Sequence, residues 1–592
     1  MKKKSLLFML IALLSFGLLL AACGGETEDP AETETETEGE EGGEAATGEP
    51  QKGGTVTAAM FSAPGHQFNP IFYADSYEAN ILDFTHEALV GLDENLEFIP
   101  ELASDWKFND DFTELTYTLE EGVKWHDGEE FTAEDVVFTY TAIADPAYTA
   151  AGGVRVDYVN QLVGYEEYVA GEADTFEGVK ADGDYSVTFY FKEPSITALQ
   201  YTSFPIIPQH VFADVPVADM PAHAASRDAG SVIGTGPFQL TDMQEGEQYV
   251  LSAHADYWKG APYLDSVVWR VVDNAIMTGL LQNEEIDMVG LPGGVPSTDA
   301  ADVDALENVE LVQDQDFGYQ YIGFKLHHSE GEQEDWTDKS GWVVNEKLKD
   351  VEVRQAIAYA VNRQGFVDGL MDGQGMVINA PFPEASWAFD PEAVNQYDYS
   401  PEKAIELLDG AGYKDTDGDG FREDPSGNKW VLNLDYPSGN QTRERTAPII
   451  VENLAEVGIE VNMRSPREAA AHFELVEKNN TDWDMYLAGW GLSTGDPDPS
   501  GIHRSTAPYN YLRWDDAKSD ELLDAALKTP EAFELEYRQE IYNEWANYFS
   551  EQLPELPLYS ANVNVAFNTK FHGWTVKPRM VNDDAHLWWV EQ

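Results

Sequence analysis

The chain has 592 residues, with 108 Asp and Glu against 35 Lys and Arg, for a formal net charge of -73. Acidity on this scale repels phosphate backbones and disfavours nucleic-acid binding, and since it is spread along the whole chain it speaks to solubility rather than to one cationic ligand. Hydrophobic residues make up 43% and aromatics 12%, enough for a folded body of about three or four ordinary domains, while the single cysteine excludes an intramolecular disulfide framework and a cysteine-clustered zinc site.

Lys2, Lys3 and Lys4 precede an almost wholly apolar run from Ser5 to Leu20, and Leu20-Ala21-Ala22-Cys23 closes it with small residues. This is the pattern of a secretory signal ending in a lipobox, and it predicts a signal peptide over 1–22 and a lipidated Cys23. The apolar length alone would also suit a membrane-spanning helix. From Gly24 to Pro50 the chain holds Glu, Thr, Gly and Pro and no large apolar residue. Such a segment predicts an extended acidic tether over 23–52, holding the body away from a membrane. The folded part is expected from Gly53, wholly outside the cytoplasm.

Within the body, Leu115–Leu119 alternates with period two and predicts a strand, followed by the turn-rich Trp125-His126-Asp127-Gly128. Thr132-Ala133-Glu134-Asp135 opens the apolar run Val136-Val137-Phe138 as a capping box opens a helix. Tyr185–Phe191 is a β-branched and aromatic strand that Pro194 ends. Asp350 begins a helical pattern through Arg354, Ile357, Val361 and Phe366, and Met485–Ala488 reads as a strand. Strands and helices alternating irregularly predict a mixed α/β architecture.

Three constellations suggest chemistry. Asp415, Asp417 and Asp419 stand at the first, third and fifth positions of a calcium-type loop with Gly420 at the sixth, but Ser426 replaces the bidentate Glu at the twelfth. A structural calcium there is the one cofactor the sequence suggests. Gly491-Leu492-Ser493-Thr494-Gly495 fits the spacing of a hydrolase elbow, yet Asp496-Pro497-Asp498-Pro499 follows where that elbow needs a helix. His327 and His328 adjoin on a strand and face opposite ways, so they are expected as surface residues rather than a metal pair. No catalytic residue is assigned, although a secreted hydrolase stays as the reading from another class.

A series of segments in chain order carries a resemblance. Gly53-Gly54-Thr55-Val56, Asn69-Pro70, His86–Leu92, Pro100–Trp106, Gly122–Gly128 and Phe131–Phe138 are followed by Gly234-Thr235-Gly236-Pro237-Phe238, Tyr257-Trp258-Lys259-Gly260, Val353–Ile357, Asp484-Met485 and Gly489-Trp490. Together they resemble family 5 of the bacterial ABC-importer solute-binding proteins, the peptide and nickel group. The resemblance implies an α/β fold of the periplasmic-binding-protein class II type, large, with three domains and two hinged lobes. Domain I would be discontinuous over 53–86, 185–285 and 561–592, with domain II over 87–184 and domain III over 286–560.

It further implies a monomeric, lipid-anchored protein on the outer face of the cell membrane that passes peptides to ABC permease subunits. An extended ligand would add as a strand between two protein segments, here Tyr73, Ala74, Asp75, Ser76 and Tyr77 on one side and Gly489, Trp490 and Gly491 on the other, with Trp490 as a wall. Relatives place an Asp three residues after the Gly-Trp tryptophan to hold the ligand's α-ammonium, and this chain has Ser493. Asp496 and Asp498 are the nearby candidates for that clamp, or else form a structural turn. The departure leaves room for longer peptides, or for an oligosaccharide or metal chelate.

Overall fold

The computed structural model describes residues 49–93, 96–329, 339–438, 440–467, 469–477, 482–507, 509–577, 582 and 584–592. The expected signal peptide, Cys23 and most of the tether lie outside them. No helix among the described residues is long and apolar enough to cross a membrane.

The body begins with strand β1 (Thr55–Met60) and helix α1 (Ser76–Thr85). A small antiparallel sheet follows, built from β2 (Ala103–Phe108), β3 (Glu114–Leu119), β4 (Val179–Ala181) and β5 (Ser186–Tyr190) in the order β2-β3-β5-β4. Leu115, Tyr117 and Leu119 of β3 all face its core, as period-two alternation requires. Helix α2 (Ala133–Ile143) begins after Thr132, whose N–H donates to Asp135 Oδ2 at 2.9 Å. Because β5 is an inner strand of this sheet, and residues as far as Ala225 bury into its core, the second domain does not end at 184 as expected.

The chain then returns to β1. Strands β6 (Phe238–Gln244), β7 (Gln248–Ala253), β8 (Ser266–Val271) and β9 (Met288–Val289) assemble around it in the order β9-β1-β8-β7-β6. A separate core holds this unit, with Phe84, Trp269 and Trp588 in edge contact. Gly234 is obligatory here, since a Cβ on it would lie 1.7 Å from Thr85 O.

Two crossings join this body to a third. Strand β10 (Val309–Gln315) runs directly into β11 (Gly318–Phe324), and the 14-residue β16 (Glu555–Asn568) pairs with β11 through its first part and with β9 and β10 through its last. The change of partner falls at Asp316–Phe317 on one chain and Ser560–Ala561 on the other. Ser560 Oγ donates to Gly318 O at 2.7 Å across it, and the short β12 (Gly375–Met376) braces β16 there. Residues 288–289 and 309–315 thus pair with the β1 sheet, so the boundary expected at 286 moves to this crossing.

Beyond it lies the largest core, with helices α3 (Val351–Ala360) and α4 (Arg363–Leu370) and a sheet in the order β14-β13-β15-β11-β16. Its further strands are β13 (Val431–Asp435), β14 (Glu460–Met463) and β15 (Met485–Gly491). The single helical pattern expected from Asp350 through Phe366 is broken. Val361 is extended at φ -86° and ψ 118°, and Asn362 restarts the chain by accepting Gly365 N–H at 3.0 Å. Arg354, 4% exposed, caps carbonyls at Leu348 and Leu553 at 2.6 and 2.9 Å.

Candidate functional site

Between the β1 body and the third body lies a cleft of about 1110 Å³. Ser76, Asp83, Glu87, Gln200 and Lys259 line one side, and Gln320, Asn440, Thr442, Ser493 and Tyr559 the other. Motifs far apart in the chain meet in its wall. The buried Glu87 carboxylate accepts Tyr257 Oη at 2.7 Å and Trp258 Nε1 at 3.1 Å, with Lys259 Nζ at 3.9 Å. Burial pushes the Glu87 carboxyl up, against the pull of Lys259 and these donors. His126 accepts Gly234 N–H at 3.1 Å and lies 3.0 Å from Gly236 O, tying Trp125–Gly128 to the glycine-rich segment. Burial holds the neighbouring His86 imidazole neutral, down at about 3.

The 73–77 segment is not the extended strand expected. Asp75 caps α1, its carboxylate accepting Tyr77 and Glu78 N–H at 2.8 Å each, and Glu78 returns by accepting Ala74 and Asp75 N–H at 2.9 and 3.3 Å. The Tyr73 carbonyl accepts Arg155 Nη1 at 2.7 Å, and that guanidinium lies 3.8 Å from the Tyr73 ring centre. The donors a ligand strand would need at 74, 75 and 77 are therefore taken, and Ser76 alone of the five lines the cleft. Asp75-Ser76-Tyr77-Glu78 is itself a capping-box pattern, so the sequence held this signal.

Strand β15 does offer an open edge. It pairs with β11 over its whole length from Met485 to Gly491, whereas β13 covers only Met485 and Tyr486 on the other side. Among the described residues no strand pairs with the far edge of Leu487–Gly491. Leu492 N–H points to β11, donating to Phe317 O at 2.8 Å, so by alternation Gly489 and Gly491 present N–H and C=O to the free side. None of Gly489, Trp490 and Gly491 is itself a lining residue of the cleft, whereas Ser493, two residues further on, is. The side chain of Trp490 is engaged otherwise: its ring is nearly parallel to those of Tyr321 and Tyr511, each with centroid 6.1 Å away, and packs against the third core. The wall expected of this indole is thus an aromatic row within the protein.

The candidate ammonium clamps are also committed. Asp496 makes a two-pronged ion pair with Arg538, Nη1 to Oδ2 at 2.6 Å and Nη2 to Oδ1 at 2.8 Å, both side chains largely buried. Asp498 accepts Ser500 N–H at 3.0 Å, and burial pushes its carboxyl up. The Asp-Pro-Asp-Pro segment is accordingly a structural turn. Ser493 Oγ faces the cleft and accepts Gln200 Nε2 at 3.2 Å from the opposite lobe.

One residue behind the cleft wall, hydrogen-bonded to the lining residue Gln320, has no counterpart among the expected site residues. Arg443, in the first turn of α5 (Gln441–Glu456), donates Nε to Gln320 Oε1 at 2.9 Å. Half-buried, it has no ion pair among the described residues, in a chain with threefold more acids than bases. Burial pulls its pKa down. The available signal was a cation at a helix N-terminus, where the helix dipole disfavours one.

Asp415, Asp417 and Asp419 come within 4.8 Å of one another, all exposed. Each already accepts a backbone N–H of its own loop, from Gly418 and Gly420, Asp419 and Phe421 respectively. Their carboxylates would supply part of the six to eight oxygens that calcium takes, the rest falling to backbone carbonyls and water. His327, expected at the surface, is half-buried with Nδ1 2.7 Å from Arg513 O.

The model of the bacterial extracellular solute-binding proteins, family 5 middle region, matches residues 97–511. The chain belongs to this family. The oligopeptide-binding protein AppA of Bacillus subtilis (strain 168) is 30% identical over 598 residues, covering 100% of this chain and 99% of that one. The structure of B. subtilis AppA with a nonapeptide superposes with a TM-score of 0.67 at 29% identity, over 92% of this chain and 100% of that one. Heme-binding protein A of Haemophilus influenzae is 26% identical over 495 residues, 81% of this chain and 82% of that one. The fold is therefore that of this family of extracellular binding proteins, whose role is solute capture rather than catalysis, and whose members take different solutes.

Proposed function

We propose that this family 5 protein captures extended oligopeptides in the interlobe cleft and passes them to the permease of an ABC importer, held at the outer membrane face by a lipid on Cys23. The observation that carries the peptide reading is the unpaired edge of Leu487–Gly491, which ends two residues before Ser493 of the cleft wall. A peptide backbone added there satisfies the Gly489 and Gly491 groups whatever its side chains, which is how one site accepts many sequences. The nonapeptide carried by AppA, the relative similar over its full length, supports the same class of ligand. Arg443, hydrogen-bonded to the cleft residue Gln320 and without an ion pair among the described residues, is the candidate cation for a ligand carboxylate that reaches past Gln320.

Asp496 and Asp498 are spent on the turn, so neither replaces the missing clamp beside Ser493. A ligand ammonium would instead have to meet one of the other carboxylates of the cleft wall, such as Asp83 or Asp316. Native mass spectrometry of protein purified without refolding tests the proposal. Released masses that fragment as peptides support it, and a released sugar or metal chelate refutes the peptide reading while leaving the fold in place.

A further inference from the structure

The small sheet reaches the third body at a point outside the cleft. The hairpin between β2 and β3 ends in a tight turn in which Asn109 Oδ1 accepts Thr113 and Glu114 N–H at 2.9 and 3.1 Å. At its tip Phe112 is held at φ 55°, a left-handed conformation that costs a bulky residue energy. That conformation aims its ring across the lobe boundary. Phe533, on the turn between α6 (Ala517–Ala526) and α7 (Leu535–Gln552), stacks on it with ring centres 3.9 Å apart and planes at 17°. Phe108 at the end of β2 closes the group, 5.6 Å from Phe533 and 5.7 Å from Phe112. None of the three lines the cleft.

The geometry points to an aromatic latch: we infer that Phe108 and Phe112 of one lobe and Phe533 of the other hold the cleft shut from outside, independently of any ligand. Rotation about the Asp316–Phe317 and Ser560–Ala561 crossings separates the rings and returns their apolar faces to water. Closure therefore has a favourable term of its own, and a ligand needs less differential affinity to populate the closed state. The strained backbone at Phe112 is consistent with a side chain retained for contact with the other lobe, since a ring pointing into solvent would gain nothing from it.

Spin labels at Glu172→Cys and Glu406→Cys, one exposed on each lobe, report the lobe separation in the full chain carrying Cys23→Ser, with ligand removed. The parent should show a short-distance population. Phe533→Ala and, separately, Phe112→Asn should each lower the ratio of short to long distances by about tenfold, the scale of a stacked aromatic pair with its buried area. Asn tolerates the left-handed backbone, so Phe112→Asn removes the ring without disturbing the turn, and unchanged melting of both variants excludes misfolding. A parent with only the long distance, or a distribution that neither substitution moves, overturns the latch. No ligand enters the measurement, so its outcome is separate from that of the peptide reading.

Discussion

Asp496→Ala separates a structural turn from a ligand clamp. In the folded protein the substitution deletes both bonds to Arg538, at 2.6 and 2.8 Å, and strands a guanidinium that is only 8% exposed. Tyr542 Oη at 2.9 Å and the Trp387 ring at 5.0 Å remain, but neither carries a negative charge. Removing one partner of a buried pair costs about 3–5 kcal/mol. For a unit the size of the third body that lowers Tm by roughly 10 °C, at about 2–4 °C per kcal/mol. Replacing both partners, Asp496→Ala with Arg538→Met, should recover most of the loss, because no buried charge is then left uncompensated. Scanning calorimetry measures the stability, and titration at a temperature where the variant is folded measures peptide binding, which should be nearly unchanged. A stable variant that has lost affinity for peptides with a free N-terminus but not for acetylated ones would refute this reasoning and return Asp496 to the clamp.

Glu555 is 1% exposed and accepts Tyr319 Oη at 2.7 Å, and burial pushes its carboxyl up to about 8. The unfolded chain gives up that proton near pH 4.3 while the folded chain keeps it, so stability falls as pH rises through this window, by up to about 1.4 kcal/mol per pH unit. Glu555→Gln, which mimics the neutral acid, should therefore match the parent at pH 4 and exceed it in Tm at pH 8; an equal or lower Tm at pH 8 contradicts the assignment. Because the Asp415, Asp417 and Asp419 carboxylates already accept backbone N–H groups of their own loop and Ser426 stands where a bidentate Glu is needed, adding a chelator should move Tm by less than about 1 °C. A drop of several degrees that Asp417→Ala abolishes would instead establish calcium. Cys23→Ser should shift the protein out of the membrane fraction or leave its precursor uncleaved, and normal processing with full membrane retention would refute the anchor.

What the sequence made legible was local or ordered along the chain. Period-two runs placed β3 and β5, Thr132 with Asp135 placed α2, and eleven short motifs in sequence placed the family. What escaped depends on partners far away. Arg538 is 42 residues from Asp496, and nothing in Asp-Pro-Asp-Pro announces it. Trp490 could have faced ligand or core until Tyr321 and Tyr511 were known to flank it. The domain boundaries shifted because β5 and β10 join sheets whose other strands lie elsewhere in the chain, and pairing at that range leaves no mark on composition. Asp75 is a different case, since its capping box with Glu78 is local and is written in Asp75-Ser76-Tyr77-Glu78 itself.

The central claim is that ligand backbone, rather than ligand side chains, pairs with the free edge of Leu487–Gly491. Calorimetry on ligand-stripped protein with one extended peptide, its scrambled isomers and a series N-methylated at successive amides tests it most directly. Each lost backbone bond should cost about 0.5–1.5 kcal/mol, more where a buried group is left unpaired, with alternate amides affected most because alternate residues face the edge. Scrambling should change affinity far less. Affinity that follows side-chain order and ignores every N-methyl group would contradict the account.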